Sequence, residues 1–385
     1  MSKAVIAGYV RTPFHFARKG ALAEVRPDDL AAVAIRALVA RTKIDPASIE
    51  DVLLGCAYAE AEQGNNIARI ASLLAGLPVE VSGMTMNRFC GSSMSAIHVA
   101  AGQIAMGAGE AFIAGGVESM STVPQGGFNF KPNPRFKGKY EVDPDIALEA
   151  YISMGETAEN VASQYGVTRA DQERLAVASQ QKAAAAQREG RLIDEIAPVL
   201  TAAGLIEADG CLRPQTTLEG LAGLKPAFRP DGSVTAGTAS PLTDGASAVL
   251  VCSEAYAKAN GLTVYARILA TATAGCPPEI MGIGPVPATR KALTRAGLTI
   301  GDIDVIEINE AFGSQAVACL RELKIPEERV NIDGGALAIG HPLGATGARI
   351  TGKAAQLLRR VGGRYALATQ CIGGGQGIAT ILEAA

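Results

Sequence analysis

Short apolar runs alternate with helical patterns through the first 120 residues. Residues 3–10 predict a buried strand ended by Arg11-Thr12-Pro13. Pro27-Asp28-Asp29-Leu30 opens a helix running to about Arg41, with proline in its first turn and acids where the helix dipole favours them. Asp51 to Cys56 predicts a second strand, Asn65 to Ala75 a helix, and Val79 to Met86 a third strand. That strand runs into Gly91-Ser92-Ser93, which opens a small-residue helix from Met94 to Met106, and Ala111 to Gly116 predicts a further strand. The alternation is that of an α/β protein with covered sheets.

The texture changes over 119–242. Gln125 to Tyr140 is rich in Gly, Pro, Asn and Lys, with Phe128, Phe130 and Phe136 interspersed, and suggests a loop packed on itself or on a neighbour. Thr168-Arg169-Ala170-Asp171 reads as a capping box leading an alanine-rich helix that stops at Gly190. An irregular insertion of this length suggests a lid or binding region. Ala246 to Cys252 resumes as a strand, and from about Val264 a second α/β run repeats the first. Ile49 to Cys56 lines up with Ile303 to Asn309, the Cys90 turn with Val330-Asn331-Ile332 running into His341, and Phe112 to Gly116 with Tyr365 to Gly375. The expected organisation is a first half over 1–118 plus 243–263, an inserted region over 119–242 and a second half over 264–385. Two pseudo-twofold-related halves would bring position 90 and position 341 to one crevice.

The composition is that of a compact α/β enzyme: 385 residues, 48% hydrophobic, 44 glycines, no tryptophan and a net charge of −3. With 4% aromatics and no basic stripe, nucleic acid is not an expected partner. The seven cysteines are widely spaced without a C-x-x-C pair, which argues against zinc, against any other metal centre of that kind, and against a disulfide framework. Met1-Ser2-Lys3 runs straight into a strand-like segment and no apolar window is long enough for a membrane span, so a cytoplasmic protein with no membrane partner is expected.

Cys90, at a helix N-terminus, is placed where a thiol tends to ionise. The repeat adds His341, Asn309 and Cys371 as candidates for the same site, each read as following a strand. A cysteine beside an imidazole is the arrangement for acyl transfer. The glycine-rich Cys371-Ile372-Gly373-Gly374-Gly375-Gln376-Gly377 lets a substrate approach backbone N–H donors. Its spacing is not that of a dinucleotide loop, and no βαβ unit can follow it. Of the other histidines, His98 falls inside an apolar helix as a core residue, and His15 reads as a surface or lid residue beside Phe14 and Phe16.

Asn87-Arg88-Phe89-Cys90-Gly91-Ser92, Asn309-Glu310-Ala311-Phe312, Gly340-His341-Pro342-Leu343-Gly344-Ala345-Thr346-Gly347-Ala348-Arg349 and the Cys371 block resemble the signature blocks of the thiolases, in family order and over essentially the whole chain. The resemblance implies a layered αβαβα fold and a coenzyme A-dependent acyltransferase of ping-pong type. It assigns Cys90 as the acylated nucleophile, His341 as its activator and Cys371 as the acid and base at the α-carbon. Asn309 would hold a water that helps stabilise an enolate, and the backbone N–H groups of Cys90 and Gly373 would form an oxyanion hole. It matches Arg213, Phe228, Ala236, Gly237 and Ser240 to coenzyme A contacts, and Met154, Met281, Ala311 and Phe312 to the tunnel. Ser153 stands where many biosynthetic members carry histidine, so the resemblance leans toward the degradative 3-ketoacyl-CoA members of fatty-acid β-oxidation. Acetoacetyl-CoA formation is one alternative; a non-catalytic CoA-binding subunit is another, of a different class. It further implies no permanently bound cofactor, coenzyme A and acyl-CoA as substrates, a homodimer or homotetramer, and a β-oxidation multienzyme as a possible partner. A reversible Cys90–Cys371 disulfide is compatible with it.

Overall fold

The computed structural model describes residues 3–133 and 149–385. The sheet of the first half has the spatial order Ser82–Met86, Asp51–Gly55, Ala111–Glu118, Thr243–Ser253 and Ala4–Arg11. Its first two contacts are parallel and its last two antiparallel. The second half repeats this order and these directions through Val305–Ile308, Tyr365–Ile372, Gln376–Ala384 and Ala266–Gly275. The edge strands of the two halves meet where Val5 pairs with Arg267 and Ile6 with Ala266.

The fifth position of the second sheet departs from expectation. In place of a strand over Val330-Asn331-Ile332 there is a single bridge, Val330 to Ile306. Asn331 adopts φ 45°, and its side-chain amide takes over the pairing: Oδ1 accepts from Ile308 N and Nδ2 donates to Ile308 O, each at 2.9 Å. In the first half the strand is also shorter than expected. It begins at Ser82, and Val79 lies exposed ahead of it.

Side-chain alternation along the strands sorts the core into layers. Val5, Ile113, Val117 and Leu250 face the outer helices Pro27–Thr42 and Ile67–Leu74. Ile306, Ile308, Leu367 and Ile381 face the outer helices Pro285–Ala296 and Gly313–Leu323. The opposite faces of both sheets, with Ile6, Phe112, Val249, Val305 and Ile378, close on two central helices, Ser92–Met106 and Leu343–Val361. The result is the five-layer αβαβα arrangement. Glycine brings the central layer together: a Cβ on Gly347 would lie 2.4 Å from Met94 N, and Ala348 N reaches Ser93 Oγ at 2.9 Å.

The inserted region is more regular than its texture suggests. It contains the helices Met154–Gln164, Arg169–Arg188 and Leu218–Ala222, and a hairpin of Val199–Thr201 with Gly204–Ile206. The Thr168–Asp171 capping box forms as expected. The region docks on the second half, where Ser179 Oγ donates to Glu310 Oε2 at 2.6 Å and Ser314 Oγ donates to Ala158 O at 2.9 Å. Arg11 joins it to the first half through Glu195 and Asp209. Of the three phenylalanines in the Gly- and Pro-rich stretch, Phe128 is exposed, Phe130 packs edge-on against Tyr151 at 5.3 Å, and Phe136 lies outside the described residues. Among the described residues no helix is long and apolar enough to cross a membrane.

The N-terminus of the helix that follows His341 is pressed against the strand ends of the first half. A Cβ on Gly344 would lie 2.4 Å from Val117 O, and one on Gly116 would lie 2.0 Å from Gly344 O. Gly344→Ala should therefore cost about 1–3 kcal/mol of stability. It should also lower turnover by displacing His341, both read from a denaturant melt and from steady-state rates on the same preparation.

Candidate active site

Cys90 sits in a tight turn between the strand Ser82–Met86 and the helix Ser92–Met106. The turn forces Phe89 into a left-handed conformation, φ 43°, which an L side chain tolerates only when its surroundings hold it. Several bonds do so. Asn87 Oδ1 accepts from Phe89 N at 2.7 Å, Ser92 Oγ accepts from Arg88 N at 2.8 Å and donates to Phe89 O at 2.6 Å, and the Gln370 amide donates to Cys90 O. The second half repeats the device, with Gly340 at φ 105° immediately before His341. His341 does not follow a strand directly: the short helix Ala336–Ile339 intervenes. Its backbone N–H is held by Thr243 Oγ1 at 3.0 Å.

The imidazole is fixed in one tautomer by its neighbours. Thr346 Oγ1 donates to Pro342 O at 2.8 Å, which leaves it an acceptor toward His341 Nδ1 at 2.6 Å, so Nδ1 carries the proton. Nε2 then presents a lone pair, and Asn309 Nδ2 approaches it at 3.3 Å. That long contact can yield to a better donor. Burial, followed by the nearby Arg349 charge, pushes the imidazolium down to about 3, so the ring is a neutral base at physiological pH.

The thiols are neutral as well, and here the expectation of a resting Cys90 thiolate is corrected. Burial pushes Cys90 up to about 11 and outweighs the backbone N–H groups of Gly373 and of Cys90 itself, which point at the sulfur and pull the other way. Cys371 lies within its strand, opposite Gly377, and not after it. Burial, and next the proximity of Cys90, hold it well above the ordinary thiol range. Gly373 to Gly375 form the hairpin turn that follows, with Gly374 and Gly375 at φ 77° and 79°. A thiolate in this site therefore requires a base to take its proton.

An apolar wall packs against Cys371. Met281, Ala311, Phe312 and Cys371 pack in one cluster with Met154 against it. Phe228 closes on Phe312 edge-on at 5.9 Å and on the backbone of Gly155. The segment carrying Ala236, Gly237 and Ser240 is stitched to the same wall, with Ser240 N donating to Ala311 O at 3.0 Å and Gly313 N donating to Thr238 O at 2.7 Å. Ala236 is exposed at its tip, whereas Gly237 packs on Leu221 and Leu224. Arg213 stands apart from this group. Its guanidinium lies 5.9 Å from the Phe16 ring, and its backbone N–H is held by Gln180. Ser153 caps the helix that begins at Met154, its Oγ accepting from Glu156 N.

Sequence reasoning passed over two side chains that build the site. Thr346 fixes the imidazole tautomer, and its place four residues after Pro342, one helical turn on, was the available signal. Glu118 closes the first-half strand Ala111–Glu118, and only its position after the Gly115-Gly116 pair marked it. His15 is also corrected: it is buried, with Nε2 donating to Ala208 O and Nδ1 accepting from Ala21 N, so it joins segments of backbone and is no surface or lid residue. His98 is half-buried, its Nε2 paired with Thr380 Oγ1 at 2.8 Å.

His98 and His341 are both held neutral to about 3, while an unfolded histidine takes a proton near 6.5. Between those values the unfolded chain binds more protons, so stability falls as the pH drops below about 6.5, by up to about 1.4 kcal/mol per pH unit for each ring. His98→Gln should reduce that acid sensitivity by about one histidine's share, measured as the difference between urea midpoints at neutral and mildly acidic pH.

Residues 4–255 match the family model described as thiolase, N-terminal domain, and residues 262–384 match that described as thiolase, C-terminal domain. The chain is 50% identical over 402 residues to the 3-oxoadipyl-CoA/3-oxo-5,6-dehydrosuberyl-CoA thiolase of Escherichia coli (strain K12), with 100% of each chain covered. It is 46% identical over 396 residues, again with 100% of each covered, to the 3-ketoacyl-CoA thiolase of Bacillus subtilis (strain 168). The crystal structure of human mitochondrial 3-ketoacyl-CoA thiolase in complex with CoA superposes with a TM-score of 0.91 at 38% identity, covering 100% of this chain and 98% of that one. With both halves matched and the two-sheet geometry shared along its full length, the chain belongs to the thiolase family.

Proposed function

We propose that this thiolase cleaves 3-ketoacyl-CoA with free coenzyme A, giving acetyl-CoA and an acyl-CoA shortened by two carbons. The observation that carries the reading is the convergence at Cys90: its sulfur faces the Gly373 N–H, and it lies close enough to Cys371 to hinder ionisation of that second thiol. His341 passes its proton demand to Nε2 through Thr346. Cys90 gives its proton to His341 Nε2 and its sulfur attacks the 3-keto carbon. The bond between C2 and C3 then breaks, leaving an acyl thioester on Cys90 and the enolate of acetyl-CoA, which takes a proton from the Cys371 thiol. After acetyl-CoA departs, incoming coenzyme A gives its thiol proton to the Cys371 thiolate and attacks the acyl group. Cys90 leaves and recovers its proton from His341. Two oxyanions arise at different carbons, which suits two donor sets: the N–H groups of Cys90 and Gly373 for the carbonyl on the nucleophile, and His341 with Asn309 for the enolate.

The apolar wall of Met154, Met281, Ala311 and Phe312 suits the pantetheine arm and acyl chain, with Phe228, Ala236, Gly237 and Ser240 on the coenzyme A side. Arg213 supplies a cation at the insertion surface for a nucleotide phosphate. Ser153, a helix cap here, stands where the resemblance places histidine in many biosynthetic members, which favours the degradative direction over acetoacetyl-CoA synthesis. The similarity to the Escherichia coli relative makes a dicarboxylyl substrate the second reading. The strand Ser82–Met86 ends the first-half sheet with an unpaired edge, and Leu73, Leu74, Val79 and Met84 are exposed beside it, which supports assembly as a homodimer through that edge. A cytoplasmic role in fatty-acid β-oxidation, with coenzyme A as a substrate and no resident cofactor, is consistent with this chemistry.

Incubation with labelled acetyl-CoA should place the label on Cys90, and Cys90→Ser should abolish it; label on any other residue would refute the mechanism. Cys371→Ala should still form the acyl enzyme while thiolysis falls by about 10²–10⁴-fold. Thiolysis rates over a 3-ketoacyl-CoA length series, with 3-oxoadipyl-CoA and acetoacetyl-CoA included, separate the substrate readings.

A further inference from the structure

Two contacts, side by side, tie the strand that leads to Asn309 to the helix that follows His341. Val305 and Glu307 share the face of the strand Val305–Ile308 turned toward the central helices, and Asn309 continues their spacing. On the helix Leu343–Val361, Thr346, Arg349 and Lys353 recur on one face at helical spacing. The first contact runs from Asn309 through His341 to Thr346. The second lies two residues back along the strand and three forward along the helix, where Arg349 Nη1 donates to Glu307 Oε2 at 2.9 Å. Both side chains are buried, at 2% and 0% exposure. One hydrogen bond joins them: Arg349 Nε, Arg349 Nη2 and Glu307 Oε1 have no hydrogen-bond partner among the described residues. An ion pair so placed is a poor source of stability, since apolar side chains of the same volume commonly do as well. Its location next to the base gives it another use.

We propose that Glu307 and Arg349 form a positioning pair for His341: the buried contact sets the helix against the strand so that Nε2 stays turned toward Asn309, and it places the Arg349 charge, partly cancelled by Glu307, on the helix face that Thr346 shares. The inference rests on the reading of His341 as the base. Arg349 is the charged group that acts on the ring after burial itself. Of the other titratable groups around it, the Cys90 and Cys371 thiols are held neutral, Glu118 reaches Gly344 N from the first half, and Cys211 of the insertion lies behind Gly340. Around the pair stand Tyr9 from the strand Ala4–Arg11, Glu195 from the insertion, Asp333 from the loop before Ala336, and Lys353 from the same helix. Glu307 itself is raised to about 7 by burial against the pull of Arg349 and Lys353, so its cancellation of Arg349 is incomplete.

The test is the pH dependence of Cys90 alkylation by iodoacetamide, followed on the Cys90 peptide, which requires no turnover. Alkylation near neutral pH proceeds through the thiolate–imidazolium pair, so its rate follows the proton affinity of His341. Glu307→Gln keeps the shape and an oxygen acceptor for Arg349 but leaves the guanidinium charge unopposed, and should slow alkylation about threefold to tenfold. Arg349→Gln should do the opposite, speeding alkylation and moving its acid limb up by about one pH unit. Thiolysis kcat should fall in both variants with little change in KM. Loss of support for the fold would not give shifts of opposite sign. Alkylation unchanged in both folded variants, or shifted the same way, would overturn the proposal. Should Arg349→Gln fail to fold, Glu307→Gln decides alone: slowed alkylation at a native-like melting temperature supports the pair's role, and an unchanged rate ends it. Failure of Cys90 labelling by acetyl-CoA would instead remove the proposed function and leave the alkylation shifts readable.

Discussion

The carboxylate of Glu118 is buried where the two halves meet, and a charge at such a place needs donors on all sides. It finds Ala57 N at 2.8 Å, Tyr58 N at 3.2 Å, Gln63 Nε2 at 3.0 Å and Gly344 N at 2.8 Å. Burial raises its proton affinity and these four bonds oppose the rise. Three of the donors belong to the segment after the first-half strand Asp51–Gly55, and the fourth is at the N-terminus of the helix after His341, whose dipole also favours an anion. Gly116 and Gly344 allow this approach because neither carries a side chain. One side chain thereby locks the turn beside Cys90 to the turn that carries His341, and the active site inherits its spacing from that junction.

Within this frame the reactive groups are uncharged at rest. Both thiols are held above, and the imidazole below, their ordinary ranges by the same cause, removal from water. The neutral thiols and the neutral imidazole thus place no net charge in the buried site. Met281, Ala311 and Phe312, buried around Cys371, keep water away from that sulfur. The desolvation that makes Cys90 a poor thiolate at rest also makes each backbone donor at the site more effective once charge develops.

Much of this was legible in the chain because local signals and the fold agree. The apolar alternation of Val5 to Val10 and of Phe112 to Val117, the proline and acids at 27–29 and the capping box at Thr168 all act within a few residues and form where the pattern places them. The repeat revealed the two like sheets and the two central helices packed between them. What escaped depends on distant partners. Val330 fails to extend a strand because the Asn331 side chain supplies the bonds instead. His15 looked like a loop residue because Ala208, the acceptor that buries it, lies in the insertion. The state of the Cys90 thiol was misread because a helix N-terminus is visible in sequence and the depth of burial around it is not.

The duplication also sets the backbone around Cys90 and His341. Cys90 and His341 occupy equivalent turns, each preceding a central helix, and each turn is entered through a left-handed residue, Phe89 or Gly340. The positive end of a helix favours a thiolate or an oxyanion and disfavours an imidazolium. Copying one turn into both halves therefore stabilises the anions of the reaction twice over while it keeps His341 averse to its second proton, an aversion that Arg349 increases. The two turns differ in the residue type each carries, with Thr346 and Asn309 orienting the His341 ring, and in the short helix Ala336–Ile339 that stands before His341 with no counterpart before Cys90.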